Sequence, residues 1–523
     1  MYHNWRKEIF WLIIILAISI FLRFYKLGSV PNGLYVDEAV TGYNAYSILE
    51  TGKDEYGKAY PIAFRFFGSY SPPLYVYLTS PVINFLGLNV FATRFVSATF
   101  GVLGTLLTFL FLKSLKNLKS HTTPLFGSLI FAITPWSIFF SRVGYELNLG
   151  ATIFWAGLFL LLLGLTKRKF LTLGILLVSI STYGAHPERF LAPIFLLGFI
   201  FVFRQRIKFW EVLLIILTQI PNIYLLFTPA FATKNSLFYS TANPYMFIRE
   251  FLSQYATYFS PRSLFFLGDS DFQRGTPELS VFYPWLVIPY LVGLYLLWKD
   301  RQKLPQKFLL FSLFISPIPA ALASDPFSSQ RAMHALLLLI AVIVTGVDHF
   351  LARWGKFSLS AFLVLTVISV VYLWRSYFVL LPHERARVWG YGFSQLAEEI
   401  RKRPNDLFLI DQSRMKPVYI ELAFFLKFPP QELQETIGNS ISENYYYNTD
   451  FKSSYRFANI ETGTINWKED VYQRQILVGD ELAISEGQAR EHFLTKLFEI
   501  RDPVGNIVFV GYETDPEMKL KFQ

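Results

Sequence analysis

The chain of 523 residues contains no cysteine. Disulfides, thiolate metal sites and cysteine nucleophiles are therefore excluded. Charge is scarce as well: Asp, Glu, Lys and Arg make up 16% of the residues against 53% hydrophobic ones, far from the balance of soluble domains. The sequence has no GxGxxG fingerprint and no P-loop, so soluble nucleotide chemistry has no support. It also has no internal repeat and no long low-complexity segment. What it has is a series of apolar runs near the ~20 residues that a bilayer-crossing helix needs. This pattern predicts a polytopic membrane protein. The formal net charge of +10 does not point to nucleic acid, because many Lys and Arg sit in short loops between apolar runs. Retention on the cytoplasmic side accounts for them.

The first run, Ile9 to Phe21, follows Arg6 and Lys7 as in a signal peptide. No small-residue cleavage site follows, so it reads as a retained helix. Later runs centre near residues 102, 131, 156, 178, 196, 218, 289, 315, 340 and 368. Every second connection is basic: Lys113–Lys116–Lys119, Lys167–Arg168–Lys169, Arg204–Arg206–Lys208, Lys299–Arg301–Lys303 and Arg353–Lys356. By the positive-inside rule these face the cytoplasm. SRVGYE, AHPER, the loop from 229 to 279 and SDPFSSQR then face outward. Residues 73–88 are apolar, but Pro72, Pro73 and Pro81 interrupt them. Counting them as a span would put Lys113 to Lys119 outside, so they read as an interfacial or re-entrant element. The expectation is about 11 spans in a domain over 1–381, with the N-terminus cytoplasmic in the plasma membrane. Residues 382–523 change to mixed polar sequence and read as a small extracytoplasmic α/β domain. Within it, Phe393 to Arg403 predicts an amphipathic helix, Leu407 to Ile410 a buried strand, and LFEIRDPVGNIVFVGYE a hairpin turning at Asp502 to Asn506.

The stretch GLYVDEAVTGYNAY places Asp37 and Glu38 side by side just beyond the first span, on the outer face. One reading is a helix start: Asp is a favoured N-cap, and apolar positions 39, 43, 46 and 49 predict a helix beginning just after it. Glu38 in the first turn would suit the helix dipole. The other reading is chemical. The cations at the outer ends of spans are Arg94, Arg142, Arg189 and Arg331, with no lysine among them. Arginine carries a planar fork suited to phosphate, and its placement there opposes the positive-inside bias. Taken singly, each can pair with a nearby acid or snorkel to headgroups; four together favour an anionic ligand. Glu146, His186, Glu188 and Asp325 add titratable groups to the same face. His186 beside Pro187 suits a helix start, and the His and carboxylate spacings match no zinc pattern, so no residue is assigned to a metal. A lipid-linked phosphate fits this gathering: tail in the bilayer, phosphate on arginine, reactive headgroup at the carboxylate. A phosphate leaving group needs no general acid, whereas an acceptor hydroxyl needs a base.

The order of the DE pair, SPPLYVYL, FATRFVSATFGVL, PWSIFFSRVGYE and AHPERFLAP resembles the membrane glycosyltransferases of the GT-C fold, over roughly residues 1 to 380. The branch it resembles contains the dolichyl-phosphate-mannose protein mannosyltransferases and the aminoarabinose transferases acting on lipid A. The resemblance implies a polyprenyl-phosphate-linked sugar donor, transfer on the non-cytoplasmic face, inversion at the anomeric carbon, and Asp37 as catalytic base beside Glu38. Arg94 matches the family's R-x-x-S-A motif. The position before the Pro-Pro pair, basic in many relatives, is Ser71 here. Arg65, Lys58 or another arginine would then meet the phosphate, alongside Arg189 and Arg331. Arg142, Glu146, His186 and Tyr70 are supporting candidates. The acceptor, the sugar and any cofactor are left open. A transporter of lipid-linked sugars would use the same arginines but place ionisable groups near mid-bilayer. A non-enzymatic envelope assembly protein would use the outer domain for binding.

Overall fold

The computed structural model describes residues 2–115, 118–204, 207–233, 243–415 and 417–522. Lys116, Arg206 and residues 234–242 of the expected outer loop lie outside the described residues. Contacts divide the chain into two compact units, and the division does not follow a single cut in sequence. The first gathers Met1–Leu27, Ser71–Tyr75 and Arg94–Phe378; the second gathers Gly28–Tyr70, Val76–Thr93 and Val379–Gln523.

The first unit is helical. Among the described residues, the helices long and apolar enough to cross a membrane are Val90–Ser114, Leu147–Gly164, His186–Phe203, Phe209–Leu226, Leu304–Ala321, Met333–Trp354 and Lys356–Glu384. Thr123–Ile133 and Pro135–Ser141 form a further pair bent by 55°. The bend has an identifiable cause. Pro135 brings no N–H, and the Trp136 N–H turns to the Val281 carbonyl at 3.4 Å. The Ala132 carbonyl, freed from its helical donor, accepts instead from Arg23 Nη1 at 3.2 Å. The expected re-entrant stretch forms the Leu74–Leu86 helix. At 1.5 Å per residue it extends about 20 Å, short of the ~30 Å hydrocarbon core.

Small residues set the closest helix packing. A Cβ on Gly293 of the Val287–Lys299 helix would land on the Val342 carbonyl, and one on Gly346 of the Leu336–Trp354 helix on the Pro289 carbonyl. Two glycines facing two backbones bring the helices into direct contact where lipid supplies no hydrophobic drive. Gly346→Val is expected to force them apart and destabilise the protein by about 1–3 kcal/mol or more. The measurement is the thermal midpoint of the detergent-solubilised protein, and an unchanged midpoint would contradict this packing account.

The second unit is built on a six-stranded sheet. The strands, counting the short hairpin β1 (Phe64–Phe66) and β2 (Ser69–Ser71) first, are β3 (Phe408–Asp411), β4 (Arg456–Phe457), β5 (Ile460–Gly463), β6 (Ile476–Gly479), β7 (Thr495–Arg501) and β8 (Ile507–Glu513). Their order is β4-β5-β3-β6-β8-β7. Central β3 is parallel to β5 and β6, with Phe408 opposite Ile460 and Ile476. The expected strand, amphipathic helix and hairpin are all present. Asp502 makes the hairpin turn, its Oδ1 accepting from the Val504 and Asn506 N–H groups at 3.0 and 2.9 Å. One face of the sheet packs Leu409, Leu477, Val510 and Tyr512 with Val471 and Ile484. Helix Phe393–Lys402 presents Phe393, Leu396, Ala397 and Ile400 inward, with Phe393 edge-on to Phe509. It packs on helix Tyr419–Leu426, and that helix in turn carries the Val36–Thr51 helix. Gly42 permits this approach, since a Cβ there would lie 2.6 Å from the Phe424 ring. The segment after the first helix is thus part of the second unit's core.

Candidate functional site

In the second unit, the Val36–Thr51 helix begins two residues earlier than the apolar pattern suggests. Tyr35 is the N-cap, in extended conformation, and its carbonyl accepts from the Glu38 and Ala39 N–H groups at 2.9 and 3.0 Å. Asp37 therefore sits inside the first turn and is not the cap. The capping carboxylate is Glu38, whose Oε2 accepts the Tyr35 N–H at 3.2 Å and whose side chain is fully buried. Asp37 remains partly exposed, in the first turn of the helix.

A third carboxyl on this helix pair escaped the sequence reading. Glu421 lies in the otherwise apolar run YIELAFFL, on the helix that carries Val36–Thr51, and its side chain is buried. Its Oε2 has no hydrogen-bond partner among the described residues. Burial, reinforced by the charge of Asp37, pushes its carboxyl well above the usual range. The signal available in sequence was one acid in a run of apolar residues.

Arg65 and Tyr70 are engaged within the same unit. Arg65 donates through Nη1 to the Asn448 carbonyl and through Nη2 to the Asp450 carbonyl, and reaches the Tyr70 hydroxyl at 3.3 Å. Tyr70 donates to the Asn448 carbonyl at 2.8 Å. Beside them, two buried acids follow the helix. Tyr445 donates to Asp54 Oδ2, while the Tyr56 and Lys58 N–H groups reach Oδ1 at 3.0 and 2.8 Å. Glu55 accepts from Asn44 Nδ2 at 3.2 Å and from the Tyr419 hydroxyl at 3.0 Å. Burial raises the Asp54 carboxyl to about 6, against the pull of Tyr445 and the two N–H groups. Burial and the charge of Asp54 raise Glu55 to about 8. Lys58, the other residue considered for the phosphate, lies over the Tyr446 ring at 5.7 Å.

In the first unit the four arginines expected at outer helix ends have different occupations. Arg142 caps the first helix: Nη1 donates to the Leu22 and Arg23 carbonyls at 2.7 and 2.9 Å, and Nη2 to Tyr25 at 2.8 Å. A cation on the last carbonyls of a helix offsets its dipole. Arg331 is ion-paired with Asp325 at 2.8 Å, and Asp325 also takes Arg274 at 3.0 Å. Arg94 is fully buried and reaches the Leu27 carbonyl at 3.1 Å. Arg189 differs from these. Its Nε and Nη2 are buried and have no hydrogen-bond partner among the described residues. Glu146 is the residue before the Leu147–Gly164 helix. His186 is the first residue of the His186–Phe203 helix, with Pro187 in its first turn. Arg23 also escaped the sequence reading. It is fully buried, with Ser19 and Ser137 hydroxyls each at 2.7 Å, and the signal was a single arginine near the end of an apolar run.

No protein-family model matches the chain, and no curated protein sequence matches it significantly. Solved structures do match. ArnT from Cupriavidus metallidurans, bound to undecaprenyl phosphate, superposes with a TM-score of 0.58 at 14% identity, covering 96% of this chain and 98% of that one. The oligosaccharyltransferase AglB from Archaeoglobus fulgidus, in complex with an inhibitory peptide and a dolichol-phosphate, gives 0.52 at 13% identity, covering 98% and 75%. Both neighbours are GT-C membrane glycosyltransferases, and the fold of this chain is the GT-C fold.

Proposed function

We propose that this multi-pass membrane protein is a glycosyltransferase that moves a sugar from a polyprenyl-phosphate donor to a hydroxyl of a protein, lipid or envelope glycan. The reaction runs on the outer face, the side opposite the basic loops. The acceptor oxygen attacks the anomeric carbon from the side opposite the phosphate, the carbon–oxygen bond to phosphate breaks, and the configuration inverts. Asp37 takes the acceptor's proton, and the phosphate leaves with the bonding electrons without needing an acid. Glu38 caps the helix that carries Asp37.

The near-full-length fold correspondence with a chain bound to undecaprenyl phosphate supports this reading. The observation that carries the donor site is Arg189, whose two buried guanidinium N–H groups have no partner among the described residues. A buried donor left unpaired is costly, and a phosphate oxygen would satisfy it. Arg94 and Arg331 are assigned to the same phosphate, Arg331 through exchange of part of its Asp325 pairing. Arg142, Arg65 and Tyr70 serve the fold.

The test is transfer of radiolabel by the purified full-length protein incubated with polyprenyl-phosphate sugars and candidate acceptors. A transporter or an assembly protein would release no polyprenyl phosphate. Arg189→Lys keeps the charge and loses the fork, so donor affinity is expected to fall about tenfold or more. Arg189→Lys, Arg94→Lys and Arg331→Lys all retaining wild-type donor affinity would make these arginines structural.

A further inference from the structure

At the far end of the first unit from Arg94 lies a cavity of about 250 Å³ that the transfer reaction does not use. It opens beside the loop after Val90–Ser114, so it lies about 30 Å from Arg94 along that helix. Pockets for drug-sized ligands run from about 300 Å³ upward, and this one has room for a headgroup. Its charged lining comes from Lys119, Asp300, Lys303 and Asp348; Gln306, Thr345 and His349 also face it, and leucines with Pro305 form the rest of the wall.

Most of these polar groups are already paired. Asp348 accepts from the Lys119 and Ser120 N–H groups at 2.8 and 3.0 Å and from the Thr123 hydroxyl at 2.8 Å. Lys303 reaches Asp300 at 2.7 Å. Thr345 donates to the Ala341 carbonyl at 2.8 Å, and beside the His349 ring two groups are left over. The Lys119 ammonium has no acid partner among the described residues, and it stands at the exposed rim. Gln306 is 5% exposed, and its Oε1 has no donor among the described residues. A buried amide oxygen without a donor costs free energy that a ligand N–H would recover. The lining therefore asks for one anion at the rim and one hydrogen-bond donor inside. Two lysines against two aspartates give it no net formal charge, so a ligand of single sign gains little. The positive-inside rule puts the basic loops at this end at the cytoplasmic membrane surface, where lipid headgroups are at hand.

We propose that this cavity binds the headgroup of a zwitterionic aminophospholipid, with its phosphate on Lys119, its ammonium on Gln306 Oε1 and Asp300, and its chains along the leucine wall. The site is independent of the glycosyltransferase reading. The test is native mass spectrometry of delipidated full-length protein given phosphatidylethanolamine or phosphatidylglycerol with matched chains. Phosphatidylethanolamine is expected to be retained about tenfold better, the worth of one charge-assisted hydrogen bond. Gln306→Leu should lower its retention about tenfold and leave phosphatidylglycerol adducts unchanged. Lys119→Met, at an exposed position where folding is not at stake, should also lower it. Equal retention of the two lipids, or retention indifferent to both substitutions, would overturn the proposal. Displacement by soluble phosphoethanolamine at the lipid's own concentration would overturn the lipid as its source.

Discussion

Asp37→Asn is expected to lower sugar transfer about 10²–10⁴-fold, the usual cost of losing a general base, in a protein that folds and binds donor as before. The position of Asp37 in its helix makes this a sharp test. Had Asp37 been the N-cap, asparagine would have replaced it almost silently, since Asn caps as well as Asp. The capping carboxylate is Glu38, which holds the Tyr35 N–H at 3.2 Å, so loss of activity in Asp37→Asn cannot be ascribed to a lost cap. Glutamine also serves at the third position of a capping arrangement, and Glu38→Gln should be much milder. Single-turnover transfer and donor binding, measured on both variants, separate the two roles. A folded Asp37→Asn protein with near-normal turnover would remove Asp37 from the chemistry.

What could be read from sequence was whatever depends on neighbours along the chain. Apolar runs gave the helices of the first unit, alternation and a turn around Asp502 gave the terminal hairpin, and the period of Phe393, Leu396, Ala397 and Ile400 gave the helix above the sheet. What could not be read depends on partners far away in sequence. Arg142 looked like an anion-binding arginine because its three carbonyl acceptors belong to a helix end some 120 residues earlier and carry no side-chain signal. Arg65 likewise spends its fork on backbone oxygens of Asn448 and Asp450, which any residue type would offer. Backbone acceptors are invisible to motif reading, whereas Asp325, the acid that occupies Arg331, stood in the sequence as a possible pair. The composition change near residue 382 marks the start of polar sequence. It carried no sign that Gly28–Tyr70 folds with that polar part, because the join is made by Gly42 against Phe424 and by two buried acids.

Those acids give the second large effect: the second unit should lose stability as pH rises from 5 to 9, and Glu55→Gln should remove most of that loss. Both carboxyls are raised in the folded state, Asp54 to about 6 and Glu55 to about 8. In the unfolded chain they release their protons near pH 4. Between these values the folded state binds more protons than the unfolded one, so each unit of pH lowers stability. The contribution is fully present below about pH 4 and is lost as pH passes through 6 and then 8. At about 1.4 kcal/mol per unit, Glu55 alone accounts for about 4 kcal/mol between pH 5 and pH 8. Glutamine keeps the neutral shape without the ionisation. Its Oε1 can still accept from Asn44, and Tyr419 can reverse its hydroxyl to accept from the new Nε2 while donating to Tyr56, 3.0 Å away. The measurement is thermal unfolding of the full-length protein at pH 5, 7 and 9, followed by proteolysis at the 52–71 segment to report on the second unit. The wild-type protein should open more readily at pH 9 than at pH 5, and Glu55→Gln should be the more stable of the two at pH 9. Parallel pH profiles for the two proteins would mean that Glu55 is already ionised where it is buried, with Arg65 and Tyr419 compensating the charge.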